Sequence, residues 1–179
     1  MPEPRAHANL RTALWRLGQL ARPVVEVHGP DLLIGGTVSV DARQTVAQAH
    51  GLLTASTELP VDVATDVFSQ VLLPGWYDEW VLVEREQLRQ LCLHSLEMLA
   101  GALTARGQFG RAVEAAMVAV QDDPLRESAQ RALILAYLGE GNRCDAIRVY
   151  GEYVAVLDQQ LGLEPSPDLQ RLVPGRSAA

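Results

Sequence analysis

GQFGRAVEAAMVAV at residues 107–120 returns at residues 141–154 as GNRCDAIRVYGEYV, an offset of 34 residues. Under that shift Leu99 falls on Leu133, Leu103 on Tyr137, Gly107 on Gly141, Ala112 on Ala146 and Val113 on Ile147. Each copy therefore carries an apolar helical stripe, then a glycine, then a small residue. That order describes two helices meeting at a glycine turn, the small residue letting the second approach the first.

The 34-residue period is that of the tetratricopeptide repeat. The first copy adds Phe109, Ala119 and Pro124 where that pattern wants an aromatic or bulky residue, a small one and a closing proline; the second departs from it with Arg143 and Asp158. Two repeats rarely stand alone, because each leaves an apolar face uncovered, so flanking helices are expected to complete the stack.

Working outward, the chain reads as helical from about residue 60 onward, punctuated at Pro74-Gly75, Asp122-Asp123-Pro124, Gly139-Glu140-Gly141 and Pro165-Ser166-Pro167. Asp123 before Pro124, and Ser166 before Pro167, each set a capping side chain ahead of a proline suited to a first helical turn. A polar connection, STELP at 56–60, precedes this region, and Asp41 is the expected N-cap of a helix over ARQTVAQAHGLL. Strand is expected only in the first forty or so residues, where VVEVHGPDLLI at 24–34 alternates about a Gly29-Pro30-Asp31 turn, followed by the extended piece TVSVD. From Pro4 to Leu20, Leu10, Ala13, Leu14, Leu17 and Leu20 recur at helical spacing, with Arg5, Asn9, Arg11, Thr12 and Arg16 largely off that stripe.

Charge divides the chain in the same place. Residues 1–22 hold four arginines against Glu3, a net of +3, whereas all 179 residues together carry −7 and include no lysine. The remainder is strongly acidic, so a polyanion is met only through the first segment. With 48% apolar and 21% charged residues, the composition is that of a soluble globular protein able to bury one full core. No apolar run is long enough to span a bilayer and no signal-peptide pattern opens the chain, so no membrane partner and a cytoplasmic location are expected. Cys92 and Cys144 lack partners at metal-ligand spacing and read as reduced, buried thiols.

Enzyme chemistry finds no foothold. Without lysine there is no P-loop, Schiff-base or kinase-type lysine, and His7, His28, His50 and His94 are scattered, with no metal-binding pair or nucleophile motif beside them. Gly35-Gly36 follows the hairpin and is no dinucleotide loop, and Asp122 and Asp123 are accounted for by capping and the helix dipole. No enzyme, cofactor or metal site is expected.

Three separated motifs carry a resemblance: LLPGWYDEWVLVEREQLRQL at 72–91, DDPLRESAQRALILAYLGEGNRCDAIRVY at 122–150 and LGLEPSPDLQRL at 161–172. Through them residues 60–173 resemble the bacterial transcriptional activator domain of SARP-type (antibiotic regulatory protein) regulators. In that family the helical domain follows an OmpR-type winged helix. ANLRTALWRL at 8–17 is similar to its recognition helix, VVEVHGPDLLI to its wing hairpin and TVSVDARQTV to the junction. The resemblance implies a mainly α protein: a partial winged-helix DNA-binding segment over 1–40 (recognition helix plus β-hairpin wing), a tetratricopeptide-like activator domain over 41–173 and a tail over 174–179. It implies promoter DNA as one partner, RNA polymerase or another regulator as a second, and a homodimer through the helical domain. Too few residues precede Leu10 for the N-terminal sheet and first two helices of a complete winged helix, so Leu10, Leu14 and Leu17 are expected to lose their usual cover. The explanations left open are a truncated product or misplaced start, packing on the helical domain, or a partner that supplies the surface.

For Arg5, Asn9, Arg11, Thr12 and Arg16 the resemblance implies DNA contact, arginines to phosphate or guanine and Asn9 to adenine, the alternative being a solvated helix face. Trp15 is expected to pack at the edge of the wing. Trp76, Tyr77 and Trp80, three of the chain's nine aromatic residues, read either as a protein-contact hot spot or, for Trp76 above all, as a corner locking a turn onto the next helix. Tyr137, Tyr150 and Tyr153 suit either the lining of a concave repeat groove or the core. The alternative for the whole chain is a helical protein-interaction module that does not bind DNA by itself.

Overall fold

The computed structural model describes residues 3–19, 24–54 and 63–173. Expectations placed on Leu20, Arg22, the connection at 56–60 and the tail at 174–179 lie outside the described residues. In chain order the elements are α1 (Glu3–Leu17), β1 (Val25–His28), β2 (Asp31–Ile34), α2 (Asp41–Thr54), a 3-10 turn (Thr65–Ser69), α3 (Glu79–Ala105), α4 (Phe109–Asp122), α5 (Glu127–Glu140), α6 (Arg143–Leu161) and α7 (Pro167–Leu172). They form two compact units, residues 1–41 and 42–179.

In the larger unit α3 packs on α4, α4 on α5 and α5 on α6, so the repeated segments become two consecutive helix pairs. Each pair turns in the same way. Gly107 donates its N–H to Thr104 O (3.0 Å) and Gln108 to Leu103 O (2.9 Å); 34 residues on, Gly141 donates to Leu138 O (3.1 Å) and Asn142 to Tyr137 O (2.9 Å). These bonds satisfy the last carbonyls of α3 and α5, and they require a left-handed residue, supplied at φ 72° by Gly107 and 89° by Gly141.

The inward face of α4 is Ala112, Ala115, Ala116 and Ala119, all fully buried, which brings the backbones of its neighbours close. Phe109 occupies the space over Gly139 of α5: a Cβ added there would stand 2.5 Å from Phe109 Cε1. The aromatic of the repeat pattern thus packs on a glycine of the next pair. Around this layer lie Leu93, Leu96, Leu99, Leu103, Leu133, Ile134 and Leu157. The flanking elements contribute Ala49 and Leu52 from α2, Phe68 from the 3-10 turn and Leu169 from α7. Ser95 Oγ donates to Leu91 O (2.8 Å) and lies 3.4 Å from Ala49 O, tying α2 to α3.

Where α3 meets α5, Arg126 pairs with Glu97 (2.5 Å) and donates to Gln90 Oε1 (2.8 Å), while Ser128 donates to the same Glu97 oxygen (2.7 Å). Only 16% and 15% of the two charged side chains is exposed, so removing either partner strands a half-buried charge.

Two local expectations are corrected. Asp123 does not cap α5; it closes α4, donating its N–H to Ala119 O, and the chain needs Pro124, Leu125 and Arg126 to turn before α5 begins. Ser166 does cap α7, its Oγ accepting from Leu169 N–H at 3.3 Å with Pro167 in the first turn. Cys92 is buried, but Cys144 is exposed, because Ala146, Val149, Tyr150 and Tyr153 carry the inward stripe of α6.

The smaller unit holds α1 and an antiparallel hairpin in the register Val25↔Ile34, Glu26↔Leu33, Val27↔Leu32 and His28↔Asp31. Gly29 at φ 61° followed by Pro30, whose ring fixes a negative φ, has the signs of a type II′ turn, which matches the strand twist.

Candidate nucleic-acid and protein interfaces

α1 turns the arginine-bearing segment into a defined surface. At about 100° per residue, Arg5, Asn9, Thr12 and Arg16 stand at i, i+4, i+7 and i+11 and share one exposed face. Arg11 is also exposed but lies about 130° round the helix from that face. Among the described residues none of these three arginines has an ion-pair partner, so each keeps its donors for a phosphate or a base edge. Thr12 is different. Its hydroxyl donates back to Ala8 O at 3.0 Å, which leaves it an acceptor and a methyl group but no proton for a phosphate oxygen.

The hairpin brings no cation to this surface. Its polar side chains are Glu26, His28 and Asp31; Glu26 accepts from Gly36 N–H at 3.3 Å and lies 3.3 Å from His28 Nε2. Trp15, expected against the hairpin's edge, is instead 67% exposed, and β2 is exposed along its whole length. Leu10 is exposed as well, and Leu14 and Leu17 are half-buried.

In the larger unit the aromatic cluster precedes and opens α3. Trp76 is 52%, Tyr77 79% and Trp80 56% exposed. What locks the turn is Arg85, which no sequence pattern singles out. Its Nε donates to Leu72 O (3.0 Å) and its Nη2 to Leu73 O (2.9 Å) and Trp76 O (3.1 Å). Leu73, held by this clamp, adopts φ 45°, the left-handed region that costs a branched side chain about 1 kcal/mol or more. The corner is therefore fixed through backbone carbonyls, leaving the Trp76 indole half in solvent.

The three tyrosines separate. Tyr150 and Tyr153 are buried, and burial pushes the Tyr153 phenol up to about 12, with Glu127 adding to the shift. Tyr137 is half-buried and lines, with Tyr153, Leu133, Gln130 and Arg148, a cavity of about 270 Å³ between α4, α5 and α6. Arg148 at its rim is bound to Asp145 (3.0 Å) and Glu152 (3.1 Å).

Arg89 links α3 to the end of α4. It donates to Glu86 (2.9 Å) and reaches Asp122 (3.3 Å) and Asp123 (3.5 Å). Hydrogen bonds from Arg89 and Gln90 hold the Glu86 carboxyl down at about 2, against an ordinary 4.5. A carboxyl lowered by folding contributes stability above its unfolded value, and that contribution is lost as pH falls from about 4.5 toward 2. Glu86→Gln should therefore flatten the acid decline of Tm in that window, by only roughly 2 °C because the pair is exposed and screened. Thermal melts of both proteins from neutral pH down to the acid range check this.

Fold and surfaces together define a helical-repeat protein with a small, arginine-bearing helix and hairpin unit at its front. Residues 39–174 match the bacterial transcriptional activator domain family, and the chain belongs to that family. It is 28% identical over 181 aligned positions to the regulatory protein AfsR of Streptomyces coelicolor, covering 96% of this chain and 18% of AfsR. In fold it is similar to Mycobacterium tuberculosis EmbR, solved in complex with a low-affinity phosphopeptide, at a TM-score of 0.59 and 22% identity over 93% of this chain and 46% of that one. The chain thus spans less than half the length of either relative. The likeness to SARP-type regulators rests on these matches together with the three motifs.

Proposed function

We propose that the chain acts as a transcriptional regulator in which residues 1–40 contact promoter DNA and residues 41–173 contact protein, either RNA polymerase, another regulator or a second copy. Arg5, Arg11 and Arg16 would take phosphates or guanine, Asn9 an adenine edge, and Thr12 a base-edge donor or a thymine methyl. Trp76, Tyr77 and Trp80 would form the protein-contact surface, with Tyr137 at the rim of a groove backed by Tyr150 and Tyr153. The observation that carries the reading is the separation of charge: three exposed arginines without ion-pair partners among the described residues stand on α1, ahead of a helical unit dominated by acids.

The test is titration of the whole chain against labelled duplex from its own gene neighbourhood, with random duplex as competitor, at two salt concentrations. Sequence-preferring binding that weakens steeply with salt is expected. A chain that ignores the duplex, or binds without preference, is instead a helical interaction module without DNA binding of its own. That second reading draws on the exposed Leu10 and half-buried Leu14 and Leu17, since a helix burying so little of its apolar stripe is weakly oriented.

A further inference from the structure

The surface ahead of α3 combines exposure with rigidity. Trp76, Tyr77 and Trp80 are each more than half exposed, and Val83, about 60° round α3 from Trp80, adds exposed apolar surface on the same side. Large apolar side chains exposed this close together in the chain mark a contact site more often than a bare surface. The backbone beneath it is already fixed by the three bonds from Arg85, so little conformational freedom remains to be lost when a partner arrives.

Charge decides what that partner is. Asp78, Glu79 and Glu84 are interleaved with the aromatics, exposed, and without an ion-pair partner among the described residues. Trp80 and Glu84 are one turn apart on α3 and face the same way. The nearby cations are engaged: Arg85 on the three carbonyls, and Arg89 on Glu86, Asp122 and Asp123. An aliphatic or anionic partner covering this patch would desolvate carboxylates with nothing to offset them. An arginine side chain satisfies both parts, its stem lying on the rings, its guanidinium over an indole face and its N–H groups on the carboxylates.

We infer that Trp76, Tyr77 and Trp80, with Asp78, Glu79 and Glu84, form a docking platform for an arginine-bearing segment of a partner protein. The inference rests on the protein-contact reading above and names the chemistry of the partner.

The experiment titrates the full chain calorimetrically with a short synthetic peptide alternating arginine and alanine, and with its glutamate counterpart. The platform is altered in two ways, Trp76→Ala with Trp80→Ala, and Asp78→Asn with Glu79→Gln and Glu84→Gln. Glu114→Gln with Asp158→Asn and Glu164→Gln removes the same charge elsewhere. The arginine peptide should bind the unaltered chain and the charge-matched control alike, and each platform variant about tenfold more weakly; the glutamate peptide should not bind. Equal affinity across all variants, absence of binding, or equal binding of the glutamate peptide overturns the inference. The second platform variant changes no shape, so loss of fold in the tryptophan variant does not decide the matter. Concentration-dependent dimers that vanish in both platform variants would assign the surface to a second copy and overturn the arginine partner. A reporter driven by the neighbouring promoter separates the two levels: silence in the tryptophan variant without peptide discrimination keeps the contact surface and rejects its arginine partner, whereas full output rejects the contact surface itself.

Discussion

Leu96→Ala should lower the stability of the helical unit by about 3 kcal/mol and its Tm by roughly 10 °C, whereas Leu133→Ala should cost only about 2 kcal/mol. The chemistry removed is the same and both side chains are buried, Leu96 at 1% and Leu133 at 3% exposure. The difference lies in what surrounds them. Leu133 stands on the wall of the cavity it shares with Tyr137 and Tyr153, so the space left by truncation adjoins one already open to solvent. Leu96 belongs to the core cluster on α3, beside Ser95 and its contact with α2, and its loss leaves a void that packed helices close only partly. Urea and thermal unfolding of both variants against the unaltered chain give the two values. A Leu96→Ala cost below that of Leu133→Ala would mean that the core around Leu96 is looser than its burial implies.

The repeat was legible because its demands are local. A glycine turn, a small residue and an apolar stripe recur at fixed spacing, and Gly107 and Gly141 terminate their helices with the same pair of backbone bonds. Ser166 was legible for the same reason. Asp123 was misread because the end of α4 and the start of α5 compete for the same few residues, and composition does not say which helix claims them. The single turn at Thr65–Ser69 has no periodicity to detect. Neither does the Arg85 clamp, whose partners are carbonyls 9 to 13 residues away that become acceptors only once the chain has bent.

The aromatic residues show the same limit at the level of function. Spacing places Tyr150 and Tyr153 on the apolar side of α6, but a repeat helix packs against neighbours on more than one side, so periodicity does not separate a groove wall from the core. Burial separates them: Tyr150 and Tyr153 are buried, Tyr153 forming part of the cavity wall, Tyr137 is half-buried on that wall, and the cluster at 76–80 faces water.

If α1 contacts DNA as proposed, Arg11→Ala combined with Arg16→Ala should remove most of that affinity and reduce the slope of log affinity against log salt by about 2. Arg11 and Arg16 project about 140° apart around the helix, so a helix lying in a groove would direct them toward opposite phosphate walls. Each neutralised phosphate contributes about 0.9 to that slope, and losing one contact from each wall also removes what centres the helix. Asn9→Ala should behave differently. An asparagine pairing with an adenine edge carries no charge, so its loss should narrow the gap between cognate and random duplex by roughly 1–3 kcal/mol while leaving the slope unchanged. Thr12→Val should do little to the phosphate contacts, because the Thr12 proton is already bound to Ala8 O. Titrations of these variants at several salt concentrations separate the three roles. Binding that survives the double arginine change with its slope intact would exclude Arg11 and Arg16 as phosphate contacts and leave Arg5 as the one arginine of α1 still able to make one.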